Sequence, residues 1–180
     1  RPGFTLKVLA DLFDGTREPS KVLQTLDLSL EAYKSINYTQ LHPVYVIYAS
    51  AYYSRGNYRQ ALYYELLALK SAESANDTSL TLCQIHNVMG VILGQLGDRE
   101  KSVYHYKIAL QIAEKYNSTV DVLIMLKGIV HSYNEIGKPE EGLKVLRSIP
   151  GKFLIPKDDA SYYVVPLAYL TIYHKLKNYP

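Results

Sequence analysis

The sequence predicts an all-α fold, an α-solenoid in which antiparallel helix pairs repeat about four and a half times. Three observations predict it. A short turn motif recurs at positions 15, 56, 97, 137 and 177, in steps of 41, 41, 40 and 40 residues. Apolar residues before these turns follow the spacing of one helix face, and small residues recur at a fixed step after them. A constant step of this length indicates a stack of helix pairs, because each pair needs its neighbours to bury its apolar face.

The first helix of each unit is predicted from the residues that precede the turn. Before Gly56, four side chains follow the i, i+3, i+4, i+7 spacing of a helix that buries one face, namely Tyr45, Tyr48, Ala49 and Tyr52. The same offsets recur before the next two turns, at His86, Met89, Gly90 and Leu93 and then at Leu126, Ile129, Val130 and Tyr133. Each of these turns is therefore preceded by an amphipathic helix.

A tight turn and a second helix complete each unit. Gly56, Gly97 and Gly137 stand where the first helix ends, and glycine adopts the left-handed backbone of a helix C-terminus without steric cost. Small residues follow at a fixed step in the second helix, as at Ala61 and Ala68. Such residues let two helices approach closely when a bulky side chain of the partner helix lies against them.

Two further residue types mark the ends of helices. Pro19 and Pro139 closely follow their turns, where proline is tolerated in the first turn of a helix. Three Asn-x-Thr triplets begin at Asn37, Asn76 and Asn117, and each falls at the end of a second helix. They could be glycosylation sites, but their position favours C-capping, in which asparagine adopts the left-handed conformation.

Tyrosine is the unusual component of the composition, at 18 of 180 residues. Its ring fills the gap between two helices, while its hydroxyl reaches solvent or a backbone carbonyl at the edge of the interface. We therefore expect most of the tyrosines to have a structural role.

The second and third units share a pattern of small, aromatic and turn residues. It consists of Ala49, Tyr52, Gly56, Asn57, Tyr58, Ala61 and Ala68, echoed by Gly90, Leu93, Gly97, Asp98, Ser102, Tyr106 and Ala109. The pattern resembles the tetratricopeptide repeat family, which implies a right-handed superhelix. Departures include Gly142 where alanine is usual and Glu65 where an aromatic residue is usual. The period of 40–41 residues is similar to that of arrays in bacterial regulators, peptide-sensing receptors and the input regions of sensor histidine kinases.

The turn register predicts a single array over residues 1–180. Its units cover about residues 1–38, 42–77, 83–118 and 122–155, with a partial fifth unit over 160–180. Pro150 and Gly151 are expected to end the second helix of the fourth unit early and to begin an irregular link. The last helix would then present an unpaired apolar face, for which we expect either a homodimer or a continuation of the chain. Because the sequence begins at Arg1 without methionine, we expect a longer parent protein.

Composition excludes several classes of protein. At 48% hydrophobic residues the chain can bury a core, which excludes a disordered tail. A net charge of +3 is too small to predict binding to nucleic acid. Two long uncharged windows, 35–54 and 160–173, are interrupted by Pro43 and Pro166, so no membrane contact is expected. The single cysteine, Cys83, excludes an internal disulfide.

Catalytic and metal-binding motifs are missing from the sequence. It contains no HExxH, no glycine-rich phosphate loop, no GxSxG and no cysteine pair, so we predict a chain that is not an enzyme and that uses no metal and no cofactor. His86, His105 and His131 belong to different helices. We expect His86, on a core face, to be a packing residue rather than a metal ligand, and Cys83 to be inert packing.

Function is then expected on the concave surface that the first helices line in a superhelix of this type. Positions one past the core register point into this groove, and the candidate binding residues are Ser50, Tyr53, Gln84, Asn87, Gln95, Lys127, His131, Asn134 and His174, with Val91, Thr171 and Lys175 beside them. Amides and imidazoles can hydrogen-bond an extended peptide without requiring a charge. The alternative is that these residues form ordinary solvated faces. Only Lys127 and Asn87 match the carboxylate-clamp form of the family, so a chaperone C-terminus is not expected.

These observations lead to one hypothesis and two alternatives. We expect a non-catalytic scaffold that binds a protein or peptide and belongs to the sensory or regulatory region of a bacterial signalling protein, similar to a sensor histidine kinase. The alternatives are a structural or oligomerisation module and the peptide-receptor domain of a cytosolic transcriptional regulator. The location would be periplasmic for a sensor-kinase input region and cytoplasmic otherwise.

Overall fold

The computed structural model describes residues 19–154 and 164–177, and every regular element in these two ranges is a helix. In chain order the helices are α1 (Pro19–Lys34), α2 (His42–Tyr53), α3 (Tyr58–Ser74), α4 (Leu80–Gln95), α5 (Arg99–Lys115), α6 (Thr119–Glu135), α7 (Pro139–Ser148), α8 (Gly151–Leu154) and α9 (Val164–Lys177). The short turns between α2 and α3 and between α6 and α7 produce neighbouring helices that pack against each other. The prediction of an all-α fold built from helix pairs is confirmed.

Glycine ends the first helix of each described pair, as the turn register predicts. Gly56, Gly97 and Gly137 have φ angles of +73°, +85° and +71°, in the left-handed region. After α2, the backbone N–H of Asn57 donates to the carbonyl of Tyr52 at 3.0 Å, five residues back. This bond is the mark of a Schellman motif, and it satisfies a carbonyl that the helix leaves without a partner.

Asparagine has the same function at the ends of the second helices. Asn37, Asn76 and Asn117 are the non-glycine residues with positive φ among the described residues, at 52°, 50° and 53°. Asparagine tolerates this conformation better than other residues with a side chain. The C-capping interpretation of the three Asn-x-Thr triplets is therefore confirmed.

Local hydrogen bonds also start the second helices. The side chain of Asn57 accepts from the backbone N–H of Gln60 at 3.4 Å, and that of Asp98 accepts from Lys101 at 3.2 Å. Each bond satisfies a free N–H in the first helical turn. Pro139 begins α7, where its missing N–H has no cost, as predicted.

The boundaries differ from the predicted ones in three places. α4 begins at Leu80 and α6 at Thr119, each three residues before the predicted start. In α6 the side chain of Ser118 caps the added turn by accepting a hydrogen bond from the backbone N–H of Asp121. α7 ends at Ser148 as Pro150 predicts, but the link then forms one helical turn over Gly151–Leu154 instead of beginning irregularly. The sequence assigns the first helix of the first unit to residues 1–18 and most of the link to residues 155–163, and both ranges lie outside the described residues.

The chain divides into two compact units, Arg1–Thr81 and Leu82–Pro180. In the first unit, aromatic stacking holds α2 against α3. The ring of Tyr64 stacks on Tyr48 and Tyr52, with centroids 4.5 Å and 5.4 Å away. Tyr48 is buried, and its hydroxyl donates to the carboxylate of Asp27 on α1 at 2.5 Å. These tyrosines have the structural role that the sequence predicts, with the ring in the interface and the hydroxyl at its edge.

One buried residue of the first unit breaks the packing pattern. Glu65 on α3 is 0% exposed, and neither oxygen of its carboxylate has a hydrogen-bond partner among the described residues. Burial raises its pKa to about 8, because a charged carboxylate loses its hydration there. Forty-one residues later the same register position holds Tyr106.

In the second unit, Tyr106 fills the space between helix backbones. Its ring on α5 lies against Gly90 of α4 and Gly128 of α6, so closely that a Cβ added at either glycine would come within 2.8 Å and 2.6 Å of ring atoms. Beside it, the hydroxyl of Ser102 donates to the carbonyl of Gly90 at 2.7 Å. A bulky ring thus meets two residues without side chains, as the small-residue register predicts.

Candidate functional site

A cavity of about 710 Å³ opens between α6 and α9 in the second unit. Its apolar lining comes from Val130, Val164, Leu167, Ala168 and Leu170, and its polar lining from Lys127, His131, Asn134, Glu135, Thr171, His174 and Lys175. This volume is within the range of about 300 to 1,000 Å³ that is usual for ligand sites. The combination of a largely apolar wall with a few polar groups is also usual for such sites.

Helical spacing explains why these residues share one surface. On α6 the lining residues stand at positions 127, 130, 131, 134 and 135, which is the i, i+3, i+4, i+7, i+8 stripe of one helix face. On α9 the positions 164, 167, 168 and 171 repeat the i, i+3, i+4, i+7 part of that spacing, 174 and 175 continue the same face, and Leu170 lies at its border. Because α6 and α9 pack against each other, the two stripes form the walls of one groove.

The structure brings together four of the nine predicted binding residues. Lys127, His131, Asn134 and His174 all line the cavity, together with the neighbouring Thr171 and Lys175 that the register also indicated. The other five do not line it: Ser50 and Tyr53 lie on α2, and Gln84, Asn87 and Gln95 lie on α4. The prediction spread the site over several helices, whereas the cavity is confined to two.

The sequence analysis gives ordinary solvated faces as the alternative to a binding site. Among the four predicted residues in the cavity wall, Asn134 differs most from a solvated residue. It is only 7% exposed, and its Oδ1 atom is buried without a hydrogen-bond partner among the described residues. Lys127, His131 and His174 are exposed. A buried amide oxygen without a partner is costly, but this atom has almost no accessible surface, so a ligand in the cavity would not reach it in this structure.

Three charged side chains line the cavity. Lys127, Glu135 and Lys175 are exposed, and none of them forms an ion pair with another residue of the described ranges. Their charges are therefore available to a bound molecule. With neutral histidines, the cavity carries one net positive charge.

A pair of histidines lies outside this cavity, and the sequence analysis missed it. Although His86 is on α4 and His105 on α5, their Nδ1 atoms are 2.9 Å apart and their rings stack with centroids 5.2 Å apart. One Nδ1 must carry a proton and donate a hydrogen bond, and the other must be unprotonated and accept it. Burial and the charge of His105 lower the pKa of His86 to about 4, and burial also lowers the pKa of His105. Spacing along the sequence did not indicate this contact, because it depends on which faces of α4 and α5 meet.

This pair predicts a loss of stability in acid. The unfolded chain binds a proton at His86 near pH 6.5, whereas the folded chain does so only near pH 4, so the free energy of unfolding decreases as the pH falls from about 6.5 to about 4. Relative to His86→Phe, we expect the wild-type chain to lose on the order of 3 kcal/mol over this interval. Urea unfolding at several pH values measures the difference, and parallel pH profiles for the two proteins would contradict it.

Cys83 has the packing role that the sequence predicts. It is buried on α4, and its thiol donates to the carbonyl of Ala109 at 3.3 Å. Burial raises its pKa to about 11, so the reactive thiolate is scarce at neutral pH. Within the described residues, no three His, Cys, Asp or Glu side chains are grouped closely enough to hold a metal ion.

The last described helix leaves part of its apolar surface uncovered. Leu167, Leu170 and Tyr173 on α9 are 51%, 66% and 45% exposed. Leu167 and Leu170 also line the cavity, whereas Tyr173 does not. Separately, none of the helices in the described ranges is both long enough and apolar enough to span a bilayer.

Comparison with known proteins identifies the fold. No family model matches the chain, and no curated protein matches it. Among solved structures, the apo form of RapI, a helical-repeat protein, matches with a TM-score of 0.83 and 16% sequence identity. The match covers 98% of this chain and 51% of the RapI chain, so this chain spans about half the length of RapI. At this identity the likeness concerns the fold alone, and it shows that the chain has the fold of an α-helical repeat protein.

Proposed function

We propose that this chain is a non-catalytic scaffold of the long-period tetratricopeptide type, which binds a peptide or an extended protein segment in the cavity between α6 and α9. The observation that carries the proposal is the cavity of about 710 Å³, whose largely apolar wall also holds the exposed polar side chains of Lys127, His131 and Thr171. A peptide backbone supplies N–H donors at regular intervals, and its side chains cover apolar surface.

The composition of the cavity supports a peptide over other ligands. Val130, Leu167 and Ala168 offer apolar surface to aliphatic side chains. The ring nitrogens of His131 can donate and accept hydrogen bonds, and the hydroxyl of Thr171, which donates to the carbonyl of Ala168 at 2.9 Å, can accept one. Backbone amides and carbonyls need partners of both kinds when they leave water. The lining therefore suits a ligand that alternates apolar side chains with a polar backbone.

We further propose that the scaffold belongs to the sensory or regulatory part of a larger bacterial signalling protein. This finer proposal rests on the resemblance of the 40–41 residue period to tetratricopeptide input regions of sensor histidine kinases. It requires a periplasmic location, whereas the receptor domain of a transcriptional regulator would be cytoplasmic.

Peptide selection followed by substitution tests the proposal. A peptide selected from a random display library is resynthesised with a fluorescein label, and its affinity is measured by fluorescence anisotropy. The variant His131→Ala/Thr171→Ala removes two exposed groups of the cavity wall, and we expect it to bind about tenfold more weakly. The control Gln111→Ala changes an exposed residue of α5 outside the cavity and should bind like the wild type. An unchanged affinity in the double variant would exclude the cavity as the binding site.

A second function, self-association, is favoured by the exposed apolar residues of α9. Tyr173 is 45% exposed and does not line the cavity. If this face forms a homodimer, sedimentation should show association that depends on concentration, and Tyr173→Lys should abolish it. Peptide affinity should not change in this variant, so the two functions are tested separately.

A further inference from the structure

A second, smaller cavity of about 300 Å³ opens between α5 and the end of α6. On α5 it is lined by positions 100, 103, 104 and 107, an i, i+3, i+4, i+7 stripe of one helix face. Tyr133 in the last turn of α6, Ile136 directly after that helix and Lys138 in the following turn complete the lining. We call this space the α5 cavity. It shares no lining residue with the cavity between α6 and α9.

Lys107 is a half-buried cation in the α5 cavity that has no counter-ion. Its Nζ donates to the hydroxyl of Tyr133 at 2.8 Å and lies 5.3 Å from the centre of the same ring. No carboxylate of the described ranges is within ion-pair distance of Lys107. The pKa of Glu141 on α7 is lowered first by its hydrogen bond to Lys144, and the charge of Lys107 contributes less. Because an ammonium has three N–H donors, two donors of Lys107 remain for a further partner.

The other two charged residues of the α5 cavity are paired with each other. Nζ of Lys138 donates to the carboxylate of Glu100 at 2.9 Å, and these side chains are 53% and 73% exposed. Since this pair has no net charge, Lys107 gives the α5 cavity one net positive charge. A ligand with a single negative charge complements it, whereas a dianion such as a phosphate monoester would carry an excess charge next to Glu100.

An aromatic ring and aliphatic side chains form the rest of the wall. Tyr104 is 61% exposed, so much of its ring surface is open to a ligand, and it stands one helical turn from Lys107. Val103 and Ile136 add apolar surface. Aromatic rings pack favourably against one another in offset or edge-to-face arrangements. A volume at the lower end of the usual range for ligand sites suits one or two fused rings rather than a segment of polypeptide.

We infer that the α5 cavity is a binding site for a small aromatic monocarboxylate. The carboxylate of the ligand accepts hydrogen bonds from the ammonium of Lys107, and its ring packs against Tyr104. The inference goes beyond the proposed function and does not depend on it, because it concerns a separate surface and a different class of ligand.

Three probes of matched shape test the inference with the 180-residue chain. Naphthoate is the expected ligand, naphthamide has the same rings without the charge, and decahydronaphthoate has the same charge without aromatic rings. Affinities are measured by ligand-observed NMR titration. We expect naphthamide to bind about fivefold more weakly than naphthoate, because the contact with Lys107 is partly exposed to solvent. Decahydronaphthoate should also bind about fivefold more weakly, because it loses the ring contact.

Two substitutions assign each preference to a residue. In Lys107→Met, which keeps an apolar stem, naphthoate and naphthamide should bind equally. In Tyr104→Leu the preference for naphthoate over decahydronaphthoate should disappear, while the preference over naphthamide should remain. Lys101→Met is the control, because Lys101 is exposed on α5, bonds to Asp98 and does not line the α5 cavity. Both preferences should persist in this variant.

Several outcomes would overturn the inference. Equal binding of naphthoate and naphthamide to the wild type, a charge preference that persists in Lys107→Met, or no binding of naphthoate at millimolar concentration would each do so. The variant His131→Ala/Thr171→Ala should bind naphthoate like the wild type. If it binds naphthoate more weakly, the acid occupies the cavity between α6 and α9, and the assignment to the α5 cavity is wrong. None of these results depends on whether a peptide binds between α6 and α9.

Discussion

Gly128→Ala is expected to lower the free energy of unfolding by about 2 kcal/mol, as overpacking of a filled core does. The added methyl group would lie 2.6 Å from the ring of Tyr106, well inside van der Waals contact. The ring is stiff, and it also lies against Gly90 on α4, so it has little room to withdraw. Chemical denaturation of the variant measures the loss. In a Tyr106→Leu background, where the ring is absent, the same substitution should cost much less.

Gly142→Ala provides the matched control for this prediction. Gly142 is buried in α7, but the nearest atoms to an added methyl group are 3.6 Å away, at an ordinary contact distance. Because alanine favours a helix over glycine, this substitution should stabilise the chain by roughly 0.5–1 kcal/mol. Equal effects of the two substitutions would show that helix propensity, and not the contact with Tyr106, determines them.

The features that the sequence predicted well are those set by local chemistry. Gly56 and Asn37 adopt the left-handed conformation because few other residues can end a helix in that way, whatever surrounds them. Pro139 begins a helix for an equally local reason. The repeat period then follows from the positions of these residues, so the order and pairing of the long helices in the described ranges could be predicted from one sequence.

Features that depend on contacts between helices could be predicted only in part. The groove register placed Lys127 and His131 on one surface, because residues four apart share a helix face. It also included Gln84 and Gln95, since the same rule applies to α4, but neither residue lines the cavity between α6 and α9. The pairing of His86 with His105 was missed because two helices determine it jointly. A sequence pattern indicates which face is buried, but not which side chain of the partner helix meets it.

Glu65 shows how a departure from the repeat pattern becomes a physical property. The sequence marked it as a replacement for an aromatic residue, and the structure shows a carboxylate that is fully buried and has no hydrogen-bond partner in the described ranges. Its pKa of about 8 means that the folded chain holds a proton there at neutral pH. The unfolded chain releases this proton near pH 4.5, so the folded state binds more protons than the unfolded state between these values. The free energy of unfolding must therefore decrease as the pH rises from about 4.5 to about 8.

Glu65→Met should remove this dependence and stabilise the protein. Because the folded chain retains this proton, its free energy of unfolding at pH 7 is lower than at pH 4.5 by on the order of 3 kcal/mol. Methionine, which is flexible and apolar, can fill the same space without this loss. Glu65→Gln should also remove the pH dependence but gain less stability, because its amide stays buried without partners. Urea unfolding of the three proteins at pH 5, 7 and 8.5 separates the two effects. If Glu65→Met gains no more stability at pH 8.5 than at pH 5, then Glu65 is ionised or has a partner in the folded chain, and the packing of the first unit differs from the one described above.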